Sequence, residues 1–593
     1  MKIRFDWKVL LFSAVVIMGI FLRIYHFSDW LFFKLDQARD SFLVLQAYEK
    51  GMGYLPLLGA RAGGTSLLLG PAYYYFQYIS LALTGSTHPA VFAFPDLFFS
   101  ILSIPLFYLF LKKYFNRDWS LILVSILAVC FFAIEYSRFA WNPNPLPFFT
   151  VLFFLSLLNI FDSPLTTEGS QKSANKNITF QRESVVRGKR KIFWVAVAAI
   201  SLSIAGQLHF LAFLALPAIA LIFLLFQWKD ARKYIGWKRM TIFFGIFLLS
   251  YLPWILNDFE KKWKNTRLFW KAVLTKLFSA TLFSDIILGL DSFAQSWLAI
   301  LTGYVNSGKI LALTVFGRYL AVNKTLLIAI CVWALFIIPS LALNWKLFRT
   351  EKDPTRKKFL LLVLIWFLVF FAAYIPIGNQ LRPRFFMATL VLPIIYLGFD
   401  LVWLKKILGK IWLSVAVGIL TVVFAGNLTG TFLWFKEIQA TQVQDRVNVK
   451  RTFIFKGDDG VVLWHIEKAG EHMIADCQGK PIYFASQPIY LKSVDYLLRY
   501  HGANAVPADE SRPADKNACF YAVAHTTNGL RGLNGNVRDN YSIVGQEKFG
   551  ILSVFRLAPK DGATLKDFYN ASDDEITRET RARRLLWKDL FPG

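Results

Sequence analysis

The sequence predicts an all-α polytopic membrane domain followed by a soluble α/β domain, and three features carry that expectation. Of its 593 residues, 55% are hydrophobic and 17% aromatic. Only 18% are charged, against the quarter or so usual in soluble domains. The apolar residues gather into stretches of about twenty, the length that crosses a hydrocarbon core of about 30 Å. Residues 429–593 return instead to a soluble pattern of short helical and strand-like runs. The formal net charge of +27 would suit nucleic acid. Most Lys and Arg, however, sit in short clusters between apolar runs, as orientation in a bilayer requires, so no nucleic-acid partner is expected.

In chain order the apolar stretches cover residues 9–27, 92–111, 119–136, 146–161, 192–207, 210–227, 240–256, 325–344, 359–376, 385–402 and 411–428, about eleven spans. The first is not a cleavable signal, because "FLRIYHF" follows it in place of a small-residue cleavage site. The Tyr-rich "PAYYYFQYISLALTG" is too short to cross and reads as an interfacial or re-entrant helix. With the N-terminus in the cytoplasm, the inner segments hold 27 of the chain's 66 Lys and Arg. The short outer connections hold only Arg138, Arg382 and Arg384. That bias predicts a multi-pass protein with its N-terminus in the cytoplasm and its C-terminal domain outside, and the compact loops suggest a plasma membrane.

Residues 1–428 then form the membrane domain, with long outer loops at 28–91 and 257–324, and residues 429–593 form the extracytoplasmic domain. In that domain "VVLWHIEKAGEHM" and "LKSVDYLLRYHG" have helical spacing, while "PIYFA", "ACFYAVA" and "ILSVFRL" read as strands. Residues 162–191 are polar and read as a flexible cytoplasmic loop. Cys130 and Cys331 fall in spans; Cys477 and Cys519, both outside, form either a disulfide or two buried thiols. No Cys or His spacing resembles a zinc site.

Charges crowd where the first span ends. "DQARDSFLVLQAYEKG" reads as a short helix whose spacing of four puts Asp36 and Asp40 on one face at the outer membrane surface. Either Asp36 is an N-cap and Asp40 a solvated residue, or one carboxylate is a general base and the other positions an acceptor or a divalent cation. Such a cation, held by Asp36 and Asp40, is the one cofactor this pattern admits.

"LDQARDSFLVLQAYEKG", "LLGPAYYYFQYISLALTG", a span ending "LFLKKYF", and "EYSRFAWNPNPLPFFTVLFFLSLL" follow one another in that order. Together they resemble the protein O-mannosyltransferase and aminoarabinose-transferase branch of the GT-C glycosyltransferases, the family 39-like enzymes. The resemblance is strongest over residues 1–165 and continues weakly through "NQLRPRFFMATLVLPIIYLG" to about residue 402. It implies a GT-C fold and a hexosyl or pentosyl transferase that takes its sugar from a polyprenyl-phosphate carrier on the extracytoplasmic side. Membrane lipids and a glycan, protein or lipid acceptor are its implied partners. Asp36 matches the first acid of the family's usual Asp-Glu motif. Gln37 takes the place of the second, so that role passes to Asp40 or is absent.

A transferase of this kind must place cations at headgroup depth, where the leaving phosphate gains charge. Arg382 and Arg384 at the outer end of a span, with Arg138, are the candidate donor-phosphate ligands, unless they only snorkel to headgroups. Asn142 and Asn144, in a stretch kept irregular by Pro143, Pro145 and Pro147, either bond sugar hydroxyls or cap the next helix. Tyr73 and Tyr74 stack on a sugar, line the lipid groove or belong to an aromatic belt. His209, beside Gln207 between two spans, either touches substrate or is a satisfied interfacial His. Lys261, Lys262, Lys264 and Arg267 attract either the carrier's phosphate or anionic headgroups. The competing function, a lipid-linked-sugar transporter or flippase, calls for paired discontinuous helices or inverted repeats, and the sequence displays no repeat.

Overall fold

The computed structural model describes residues 6–62, 67–161, 176–277, 282–305, 324–454, 460–503, 517–533, 535–565 and 585–590. Helices dominate as far as Val443. α1 (Trp7–Ile24) opens the bundle, its first turn capped by the Asp6 carboxylate, which accepts from Lys8 N. α2 (Leu35–Lys50) and α3 (Ala72–Thr84) belong to the first loop and stop at Gly51 and Gly85. Both glycines have positive φ, 99° and 65°, a conformation in which a side chain would be strained. α4 (Phe94–Leu111), α5 (Arg117–Val129), α6 (Phe131–Tyr136), α7 (Leu146–Phe161), α8 (Lys176–Leu208) and α9 (Phe210–Phe226) follow. α10 (Trp228–Tyr234), α11 (Trp237–Glu260), α12 (Lys264–Leu277), α13 (Leu282–Thr302) and α14 (Lys324–Val332) come next. α15 (Ile338–Thr350), α16 (Pro354–Tyr374), α17 (Leu392–Ile407) and α18 (Trp412–Val443) complete the helical part.

The chain is a multi-pass membrane protein. Among the described residues 7 helices are long and apolar enough to cross a membrane, 8 if the bent pair Pro383–Thr389 and Leu392–Ile407 is one span. Leu146–Phe161 and Phe210–Phe226 are shorter apolar helices. The segment 119–136 is not the single helix expected of a plain span: α5 stops at Val129, Cys130 is extended, and α6 restarts at Phe131. The break is held from α18, where Asn427 Oδ1 accepts from Phe131 N (2.8 Å). The same side chain donates through Nδ2 to Leu301 O (2.8 Å) and Val423 O (3.0 Å). One buried amide thus satisfies backbone that the break frees, as an environment without water demands.

A second departure concerns the polar segment 162–191. Residues 162–175 lie outside the described residues, but α8 already begins at Lys176. Its Lys, Arg, Gln and Glu are good helix formers, and the apolar turns that follow supply the costly nucleus. In the second long loop, residues 306–323 likewise lie outside the described residues.

The C-terminal region comprises α19 (Leu463–Cys477), β1 (Ile482–Ser486), α20 (Pro488–Tyr500), β2 (Cys519–His525), α21 (Gly535–Asn540), β3 (Tyr541–Phe549) and β4 (Leu552–Pro559). The sheet order is β1-β2-β4-β3, with β1 and β2 parallel and the other pairs antiparallel. Both helical patterns and all three strand patterns read from the sequence form the expected elements. β3 is additional: as a largely exposed edge strand it has no buried face to leave an alternating pattern.

Cys477 and Cys519 are joined in a disulfide that ties the end of α19 to the start of β2 across 42 residues. Replacing both by Ser removes that constraint on the unfolded chain and costs about 2–4 kcal/mol. The thermal midpoint should fall in the variant, and in wild type under reductant; an unchanged midpoint in both refutes a stabilising bond.

Candidate active site at the loop end of the bundle

The C-terminal domain is bonded directly to the first loop. Leu463 N and Trp464 N, at the start of α19, donate to Leu31 O (2.8 Å) and Asp29 O (3.0 Å). Tyr496 OH of α20 donates to Thr87 O (2.6 Å), and His88 Nε2 meets Glu467 Oε1 (2.8 Å). These contacts set the C-terminal domain beside α2.

α2 does start at the charge cluster, but Lys34 is its N-cap and Asp36 sits in the first turn. Gln37 has its own task. Its Oε1 accepts from Lys34 N and its Nε2 donates to Ala140 O, both at 3.3 Å, so it joins the start of α2 to the proline-rich segment. Arg39, which the sequence reading missed, lies between the two aspartates. Its Nη1 is 3.0 Å from Asp36 Oδ1, and its Nη2 is 2.9 Å from Asp40 Oδ1. Burial opposes the Arg39 charge, but Asp40, Tyr74 and Asp36 outweigh it and hold the guanidinium's pKa above its usual value. The signal was present as the i,i+3 spacing from Asp36.

The two carboxylates are not equivalent. The Asp36 side chain is 50% exposed and that of Asp40 only 6%. Asp40 also accepts from Tyr74 OH (3.0 Å), while Tyr73 OH donates to Asp96 Oδ2 (2.7 Å). Tyr73 and Tyr74 are therefore buried with their hydroxyls engaged, and form neither a stacking platform nor an aromatic belt. Among the described residues no group of three or more His, Cys, Asp or Glu could hold a metal. With Arg39 between Asp36 and Asp40, that pair does not fit a divalent cation.

Asp96 is a second residue the sequence did not expose. It gathers Tyr73 OH, Trp141 N (3.3 Å) and the Asn144 side chain, fastening α3 and the proline-rich segment to α4. Asn144 also donates to Phe139 O (2.8 Å), and both Asn142 and Asn144 are buried. Asn144 is thus a brace for irregular backbone rather than an exposed sugar contact.

The three arginines expected at the outer face separate. Arg138 is buried, with Nη1 donating to Arg23 O (2.8 Å) and Nη2 to Tyr25 O (2.7 Å) and His26 O (3.0 Å). Its guanidinium engages carbonyls at the end of α1, and a cation there locks that helix end. Arg384 lies over the Trp141 ring, 4.8 Å from its centroid, within electrostatic reach of Asp36, Tyr136 and Arg382. Arg382 is exposed beside it, with Nη1 donating to Leu381 O (2.9 Å).

His209 is buried, its Nδ1 accepts from Leu211 N (3.3 Å) as the cap of α9, and the Phe385 ring meets it edge-on. Burial first, and Arg384 second, push the imidazole down to about 3, so it stays neutral and is no cation for phosphate. Gln207 accepts from Ala72 N (3.2 Å) and donates to Ser250 O (3.0 Å), bonding α8 to α3 and α11. Lys261, Lys262, Lys264 and Arg267 are exposed around the α11–α12 turn. The structure therefore brings together Asp36, Arg39 and Arg384, with Asp40 and Tyr74 behind them. A half-exposed carboxylate flanked by guanidinium groups can accept a proton on one side while anionic oxygens are bound on the other.

No protein-family model matches the sequence. No curated protein matches it either. Among solved structures, the chain is similar to the Archaeoglobus fulgidus oligosaccharyltransferase AglB in complex with an inhibitory peptide and a dolichol-phosphate, at 12% identity and a TM-score of 0.46 over 94% of this chain and 74% of that one. It is also similar to ArnT from Cupriavidus metallidurans bound to undecaprenyl phosphate, at 12% identity and a TM-score of 0.48 over 93% and 98% of the two chains. Likeness this remote leaves function to be argued from the chain's own residues.

Proposed function

We propose that this chain is a GT-C-type membrane glycosyltransferase, which moves a hexosyl or pentosyl unit from a polyprenyl-phosphate carrier to an acceptor at the extracytoplasmic face of the plasma membrane. The observation that carries it is Asp36: a half-exposed carboxylate in the family-like motif, ion-paired to Arg39 and within electrostatic reach of Arg384. In this assignment residues 1–428 hold the carrier and residues 429–593 face the acceptor.

Asp36 takes the proton of an acceptor hydroxyl as its oxygen attacks the anomeric carbon. The bond from that carbon to the carrier's phosphate oxygen breaks, and the phosphate leaves with an added negative charge. Arg384 and Arg382 stabilise that charge because their guanidinium groups are in place before it develops. Asp40, fixed by Tyr74, holds Arg39 and through it the orientation of Asp36.

The test is transfer from radiolabelled polyprenyl-phosphate sugars in membranes containing the wild-type chain. Label should pass to an acceptor and leave free polyprenyl phosphate. Labelled carrier that crosses the bilayer unchanged, with no transfer from any donor, would replace the enzyme by the transporter.

A further inference from the structure

Two cavities lie side by side between α2 of the first loop and α20 of the C-terminal domain. The first, of about 230 Å³, is lined by Arg39, Gln46, Lys492 and Asp495. The second, of about 390 Å³, is lined by Glu49, Thr87, Tyr496 and Tyr500. Phe42, Gln46 and Arg499 line both, so the two form one groove. Its size is in the range of sites that enclose small organic ligands. Arg39 marks one end, and it is the same Arg39 that holds Asp36.

The lining mixes charged and amide side chains with aromatic rings, and Leu43 and Leu45 add aliphatic surface. Arg499 Nε donates to Asp495 Oδ1 (2.9 Å) while its guanidinium lies over Phe42, 5.7 Å from the ring centroid. Phe42 and Tyr496 meet edge to face at 5.0 Å, and Tyr500 is 38% exposed. Both long walls are helices whose backbone groups are bonded internally, so a peptide cannot add here as a strand. Acyl chains need a continuous apolar lining, which charged and amide groups interrupt. A sugar suits both halves: hydroxyls pair with the forked Arg, Asp, Glu and Gln groups, and the ring's C–H face packs on an aromatic.

We infer that the groove between α2 and α20 is the acceptor site and that the acceptor is a carbohydrate chain. This rests on the transferase proposal and narrows its acceptor from protein, glycan or lipid to glycan. A chain lying along α20 presents its terminal hydroxyl at the Arg39 end, next to the Asp36 carboxylate.

The experiment uses the full-length protein in lipid nanodiscs and a panel of short fluorescent oligosaccharides, with neutral, amino-sugar and uronic-acid members. At least one should bind saturably without donor. Lys492→Ala combined with Tyr500→Ala should weaken it about tenfold or more at an unchanged thermal midpoint. Asp36→Asn, which loses only the base, should still bind. The inference is overturned if no member binds, if the double variant binds as well as wild type, or if a Ser/Thr-rich peptide or phosphatidylglycerol vesicles displace the bound oligosaccharide. Binding is read without turnover: glycan bound by a protein that transfers no sugar counts against the transferase alone, and transfer without glycan binding counts against the groove alone.

Discussion

Asp36→Asn lowers sugar transfer about a thousandfold at equal expression, within the range lost when a positioned general base is removed. The variant should fold and still bind carrier, because the Asp36 side chain is 50% exposed and an Asn there keeps an oxygen for Arg39. Asp40→Asn makes the necessary contrast. Asp40 is buried, accepts from Tyr74 OH and pairs with Arg39, so its replacement acts on position rather than on proton transfer. It should lower the thermal midpoint together with the rate, whereas Asp36→Asn lowers the rate alone. Wild-type transfer by Asp36→Asn would remove the base assignment. The reverse ranking, with only Asp40→Asn inactive at an unchanged midpoint, would transfer the role to Asp40.

The parts of the structure that follow from local pattern were legible. The apolar segments are helical over most of their length, and 7 or 8 of the described helices are long enough to cross, because apolar chain in a bilayer has no other way to satisfy its backbone. α2 was legible down to its Gly51 stop, since caps and periodicity are local. The break at Cys130 was not, because its cause is Asn427, some three hundred residues later. The site divides in the same way. Asp36 and Asp40 share a face by spacing alone, but that Arg39 bridges them, that Tyr74 fixes Asp40 and that Asp96 gathers the proline-rich segment depend on packing of separate elements. Arg138 shows the limit most clearly. In sequence it is an outer arginine like Arg384; in the fold the carbonyls at the end of α1 engage it.

That difference gives Arg384 and Arg138 opposite signatures. Arg384→Ala should reduce kcat/KM by about 10²–10³, the loss typical of one preorganised group at a developing anion, with little change in thermal midpoint. Arg384→Lys keeps the charge but loses the flat stacking on Trp141 and the forked donors, so it should recover only part of the rate. Arg138→Leu leaves the carbonyls of Arg23, Tyr25 and His26 without their buried donor and should cost about 2–4 kcal/mol of stability. Transfer per folded molecule should then fall far less than in Arg384→Ala. Rates and melting curves on the same preparations decide it. If Arg384→Ala transfers at the wild-type rate, or if Arg138→Leu melts normally yet is inactive, the phosphate is held by the wrong arginine in this proposal. The two assignments stand or fall together, because the proposed displacement needs the leaving phosphate, held by Arg384, on the side of the sugar opposite the hydroxyl that Asp36 deprotonates.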